Sequence, residues 1–286
     1  MKISNRNGIL NACLLVVAFF GHQQGTMGQL LTAKKPIKKS FTTISIPPSG
    51  AVKKEPAPPS KVLSLSTKAA VGLSMVLAFN SGIVNGACLS GMLSDGTKQA
   101  TAAVTGAWTN SALGFAKGNS AQLALNAKCI ASYMGGSLIS GLFLPNPSTF
   151  QLDITKGFPL FAIAAGLLAT ASGLAEAKDM NYLFLCCIAS GIQNSLTSVL
   201  TANLCRTCHY SGITSDIGTF LGQFLRGNKT NLLKVKTFAL LAASFWAGGF
   251  FSFGLTETYG SSVLEGAAVT QLVFAAILGL KVFGVL

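Results

Sequence analysis

Asp216 is the residue whose type and place most invite chemistry. It sits inside the hydrophobic stretch Tyr210–Leu225, and an ionisable group at membrane depth is costly enough to mark function by default. At helical spacing Gly212 and His209 share its face, and Arg206 precedes His209 by less than one turn. Such a carboxylate accepts a proton, recognises charge, or pairs with Arg206 and His209. Asn85, Thr105, Asn110, Gln193, Asn194, Ser211 and Thr214 add neutral hydrogen-bonding groups in other apolar stretches. Together with His209 and Asp216 they form the expected site for a small solute. The same residue types also tie membrane helices together without binding anything.

Cys205-Arg206-Thr207-Cys208-His209 has the C-x-x-C-H form of covalent haem attachment. The surrounding loop is short, no soluble pocket frames it, and Cys129, Cys186 and Cys187 show cysteine used freely in apolar stretches, so no cofactor is expected. With only His22 and His209 in the chain, no metal site is expected. Neither a G-x-S-x-G elbow nor a Walker loop occurs, and the chain does not read as an enzyme.

The elements that must position these residues are membrane helices. Half of the 286 residues are hydrophobic, only 10% are charged, and mean hydropathy is +0.55, whereas soluble domains carry about 25% charged residues. Hydrophobic stretches run Ala69–Leu93, Gln99–Ala116, Gln122–Leu144, Phe158–Glu176, Met180–Leu204, Tyr210–Leu225, Val235–Leu255 and Ser262–Val282. The fold expected is all-α and polytopic, with about eight transmembrane elements. The second and sixth stretches are short, rich in Gly, Ser and Thr, and carry Asn110 or Asp216, which marks them as weak, broken or re-entrant. Six full spans is the alternative.

Two halves resemble each other. Gly82-Ile83-Val84-Asn85 recurs as Gly191-Ile192-Gln193-Asn194, Thr105-Gly106 followed by Asn110 as Ser211-Gly212 followed by Asp216, and Ala131-Ser132-Tyr133 as Ala243-Ser244-Phe245. This divides the membrane region into tandem four-helix repeats, 69–177 and 180–284. Gly82 and Gly86 make a Gly-x-x-x-Gly face for close helix approach, and Gly106, Gly191, Gly212, Gly218 and Arg206 are the other expected structural positions. With eight spans, Lys68, Lys117, Lys128, Lys178, Arg226 and Lys281 gather on one side, leaving Lys98, Lys156 and Arg206 on the other. That charge pattern favours parallel repeats, while re-entrant second and sixth elements would make them inverted.

Residues 1–28 have the charged start and short apolar run of a signal peptide, and 29–68 form a basic, Ser/Thr/Pro-rich tail resembling a transit peptide. The pair suggests a plastid membrane, with a secretory-pathway membrane as the alternative. The tail's lysines lack interleaved aromatics, so nucleic acid is not expected as a partner. The expected partners are the lipid bilayer, an unknown small solute and a second copy of the chain.

Gly191-Ile192-Gln193-Asn194 and the run from Arg206-Thr207-Cys208-His209-Tyr210 to Ser211-Gly212-Ile213-Thr214-Ser215-Asp216-Ile217-Gly218 resemble the signature of the YoaK-like family of uncharacterised multi-pass membrane proteins. Gly82 to Asn85 and Thr105-Gly106-Ala107 match that family's first half, with Asn85 in place of its usual Asp and Ala107 in place of its Asn. Cys208 stands where the family has Thr, which removes the haem reading. The resemblance covers about residues 70 to 284 and implies a membrane protein of unknown activity. A secondary transporter-like carrier of a small solute is the first functional reading; a non-transporting membrane scaffold or accessory subunit is the other.

Overall fold

The computed structural model describes residues 62–285. The signal-like segment and nearly all of the basic tail lie outside the described residues. The tail's last part is ordered: β1 (Val62–Ser64) pairs antiparallel with β2 (Gln151–Asp153). Eight α-helices follow in order: α1 Thr67–Ser90, α2 Thr105–Ala116, α3 Ser120–Phe143, α4 Ile154–Glu176, α5 Asn181–Leu200, α6 Tyr210–Leu225, α7 Leu232–Tyr259 and α8 Ser262–Val282. The chain is a helical membrane protein.

Local sequence sets the helix ends. Ser66 caps α1 by accepting from Ala69 N at 3.2 Å, and Gly91, at φ 75°, closes it. Asn119 caps α3 through Gln122 N. Asp153 caps α4 through Thr155 N and pairs with Lys156 at 3.0 Å. Burial pushes the Asp153 carboxyl up, but the hydrogen bonds from Thr155 and Lys156 outweigh it and hold the group below its ordinary value.

Five helical segments are long and apolar enough to cross a membrane: α1, α4, α5, α8, and α7 with the 3-10 turn before it. With 24 residues α3 has the length, but Gln122, Asn126, Lys128 and its serines dilute its apolarity. The other two are too short. At 1.5 Å per residue, α2 reaches about 18 Å and α6 about 24 Å, short of a hydrocarbon core of about 30 Å. The stretch expected from Gln99 is helical only from Thr105.

Helix directions follow from the contacts. α1 and α5 are antiparallel: Tyr182 Oη bonds Ser94 Oγ beyond one end of α1, and Gln193 reaches Leu77 and Ser81 near its middle. α4 and α8 are also antiparallel, with Ser172 donating to Ser261 O at one end and Phe158 against Gly279 at the other. α7 runs parallel to α1, since Phe79 meets Gly248 and Gly86 meets Ser252. α3 runs parallel to α5, with Gly136 on Ile188 and Ser140 donating to Ile192 O. Elements matched by the sequence similarity therefore point in opposite directions, not the same one. The expectation of parallel halves is not met by these helix directions: α2 and α6 are short of a crossing in length, and each follows a loop that lies back along the preceding helix.

Two close crossings hold the bundle. A Cβ on Gly82 would fall on the Phe245 carbonyl and one on Gly248 on the Phe79 carbonyl; a Cβ on Gly191 would fall on Tyr133 O and one on Gly136 on Ile188 O. The backbones touch because nothing but hydrogen fills these positions. By contrast, Gly106 and Gly218 face open space. Gly82→Ala and Gly191→Ala are each expected to lower stability by about 1–3 kcal/mol in thermal unfolding of the detergent-solubilised protein. Gly166→Ala, at an exposed position with nothing within 4 Å, should be neutral or stabilising by up to about 1 kcal/mol.

Candidate functional site at mid-membrane

After α5 the chain does not leave its neighbourhood. Residues 201–209 climb back along the helix until Cys208 N donates to Asn194 Oδ1 at 3.1 Å, and the Cys208 thiol lies against Ser190 O and, at 3.3 Å, Ser81 Oγ. The first helix is followed by the same device: Asn85 Oδ1 accepts from both Thr101 N and Ala102 N at 3.0 Å. Each short helix thus begins partway back along the helix before it, from a loop that an asparagine pins, and neither N-terminus has a side-chain cap. Unpaired backbone groups at this depth would be prohibitive, so the asparagines are what permit the turn.

At the centre lies Gln193. Its Nε2 faces Leu77 O at 2.9 Å, Ser81 Oγ at 2.6 Å and Thr207 Oγ1 at 3.1 Å, while its Oε1 accepts from Gln271 Nε2. Thr207 continues to Thr197 at 3.3 Å. A small cavity opens beside this network, lined by Asn80, Ser81, Ser190, Gln193 and Gln271 with Val84, Leu168 and Ala189. It has about 10 Å³ open to the centre of a water molecule, room for about one. The lining is polar but carries no formal charge.

The structure gathers Gln193 and Asn194, with Asn85 pinning the other loop, and leaves the remaining expected site residues outside the network. Thr105 and Asn110 are exposed on α2; Ser211 and Thr214 are exposed on α6, where Thr214 bonds back to Tyr210 O. Asp216 is half-buried on α6, and among the described residues the one ion pair is Lys156–Asp153, so Asp216 is not bridged to Arg206. The exposed His209 ring covers Gly212, as their shared face requires. Cys205 and Cys208 are buried free thiols, packed among protein atoms. Asn80, Ser81, Ser190, Thr207 and Gln271 are the residues that sequence reasoning missed. Gln271 had a legible signal, as the lone amide in the apolar run Ser262–Val282.

A family model described as "Protein of unknown function (DUF1275)" matches residues 73–277. The chain belongs to this family. The match runs from within α1 to within α8, so the folded-back loops and the central network alike lie within the family domain. The family description assigns no activity. No curated protein and no solved structure matches the chain.

Replacing Asn85 by Leu leaves two buried N–H groups unpaired, and replacing Asn194 leaves one. At about 1–3 kcal/mol per buried group, Asn85→Leu is expected to destabilise more than Asn194→Leu. Hydrogen exchange should accelerate first at residues 99–104 in the former and 205–209 in the latter, while Asn85→Asp, which keeps the acceptor, retains protection.

Proposed function

We propose that this family member is a carrier of a small solute, built from two inverted four-helix repeats that rock against each other around a polar site at mid-membrane. The observation that carries the reading is the pair of asparagine-pinned re-entrant loops, which approach the bundle centre from opposite faces. Further support comes from the glycine crossings: Gly82 on Phe245 and Gly191 on Tyr133 involve residues that the sequence match itself pairs across the halves. α1 of one repeat packs on α7 of the other, and α5 packs on α3, so relative motion of the halves would reshape the central network directly.

In this reading Gln193 and Asn194 hold the solute once rocking of the halves opens the closed network around them, Asn85 and Asn194 fix the loops, and Thr105, Asn110, His209, Ser211, Thr214 and Asp216 meet it on the accessible sides of α2 and α6. The outward faces of α3 and α7, with Met134, Leu138, Leu142, Trp246, Phe250 and Phe253 exposed, face lipid. Lys68, Lys156, Arg226, Lys229, Lys234, Lys236 and Lys281 lie toward the N-terminal face, together with Asp153, whereas Lys98, Lys117, Lys128 and Lys178 lie toward the other, together with Asp95, Glu176, Asp179 and Glu257. By the charge rule the N-terminal face is cytoplasm-like, which in a plastid membrane is the stroma.

Lys117→Cys and Arg226→Cys, at the ends of α2 and α6, test the topology in a cysteine-free background. Inverted repeats place them on opposite faces, so an impermeant thiol reagent added to sealed, oriented vesicles should label only one. Labelling of both from the same side would return the chain to eight crossings and sink the inverted-repeat mechanism. Among metabolites screened by thermal shift, the transported class should raise Tm saturably in the wild type and fail to do so in Gln193→Leu; a flat screen with folded protein would count against a carrier.

A further inference from the structure

The cavity beside Gln193 contains an imbalance: its walls hold buried oxygens that no donor reaches. Asn80 Oδ1 and Gln271 Oε1 are buried and make no hydrogen bond, and their residues are 2% and 1% exposed. The orientation of the second oxygen is not arbitrary. Leu77 O can only accept, so the Gln193 group facing it is the amino end, which leaves Gln193 Oε1 facing Gln271. An oxygen there needs a donor, so Gln271 turns its own amino group toward Gln193 and its carbonyl oxygen away. A backbone carbonyl on α1 thereby determines, through two side chains, that an unpaired oxygen on α8 stays unpaired.

Asn80 on α1 and Gln271 on α8 line the same small space, and Ser81 Oγ, which already accepts from Gln193, adds a third oxygen. Both Gln193 amino hydrogens are directed elsewhere. An occupant must therefore satisfy oxygens, fit in the room of about one water, and do so where no carboxylate lines the wall. A dehydrated monovalent cation meets these conditions, because it is coordinated by oxygens and asks for no donor in return. Because the lining is neutral, the desolvation cost of the ion is met by oxygen dipoles alone, and a divalent ion, with its far larger cost, is disfavoured.

We propose that this cavity is a binding site for a single small monovalent cation, Na+ or Li+, held by Asn80 Oδ1, Gln271 Oε1 and Ser81 Oγ. The site joins α1 to α8, helices from different halves, so its occupancy tightens the contact between them. It stands apart from the carrier reading, since binding is measured without any flux.

The test uses the full chain purified in detergent with choline as the only monovalent cation. Na+, Li+, K+ and ammonium are then titrated at constant ionic strength while Tm is read. The expected result is a saturable rise in Tm with Na+ or Li+ and none with K+, lost in Gln271→Leu and in Asn80→Leu. Asn80→Asp keeps the oxygen, adds charge and should lower the Na+ midpoint by about tenfold, which provides a readout should the leucine variants not fold. The proposal is overturned if all four cations and choline give the same Tm, since the cavity then holds water. It is equally overturned by a response confined to ammonium, or by an Na+ response that Asn80→Asp leaves unmoved.

Discussion

A polypeptide that turns back inside a membrane must find partners for N–H groups that water does not reach, and one side-chain oxygen in each half of this chain supplies them. Asn85 takes two backbone donors and Asn194 takes one. With these bonds the loops before α2 and α6 lie against the helices they follow; without them the chain would have to exit or continue as helix. The direction of every later helix and the point along the bundle at which the short helices begin depend on this accommodation.

Glycine does the complementary work. Hydrophobic burial contributes little between helices already in lipid, so close van der Waals approach carries the association. Two crossings, one in each half's first helix, bring backbone onto backbone, and the serines nearby donate across the gap, as Ser140 does to Ile192 O. Polar side chains then concentrate where these crossings meet. The central amides are bonded in a directed chain from Leu77 O through Gln193 to Gln271, and that direction decides which atoms remain open.

Much of this was legible in the residues. Composition settles the solvent, and six of the eight hydrophobic stretches correspond to helices of membrane length. The match of Gly82 with Gly191 and of Phe245 with Tyr133 anticipated which positions would make equivalent contacts. The direction of the halves was not legible, and the reason is parity. Counting charges by loop presumes that each apolar stretch crosses, so two stretches that turn back exchange the sides of Lys117, Lys128, Lys178 and Lys156. Nothing in the dozen residues of α2 states whether they cross. Asp216 drew attention because ionisable groups are rare in such sequences, yet the centre is built from neutral amides, whose role depends on partners from distant helices that spacing along one helix does not reveal.

The pairing of α1 with α7 has a consequence for biosynthesis. The first of the described helices carries its glycine face toward a partner that is made much later, with α2 through α6 inserted in between. During synthesis, Gly82 and Gly86 must wait with lipid or a temporary companion against them. The α3–α5 crossing closes early and locally. Assembly therefore has an order written into the topology: a small central unit first, and last a clasp in which α7 locks α1.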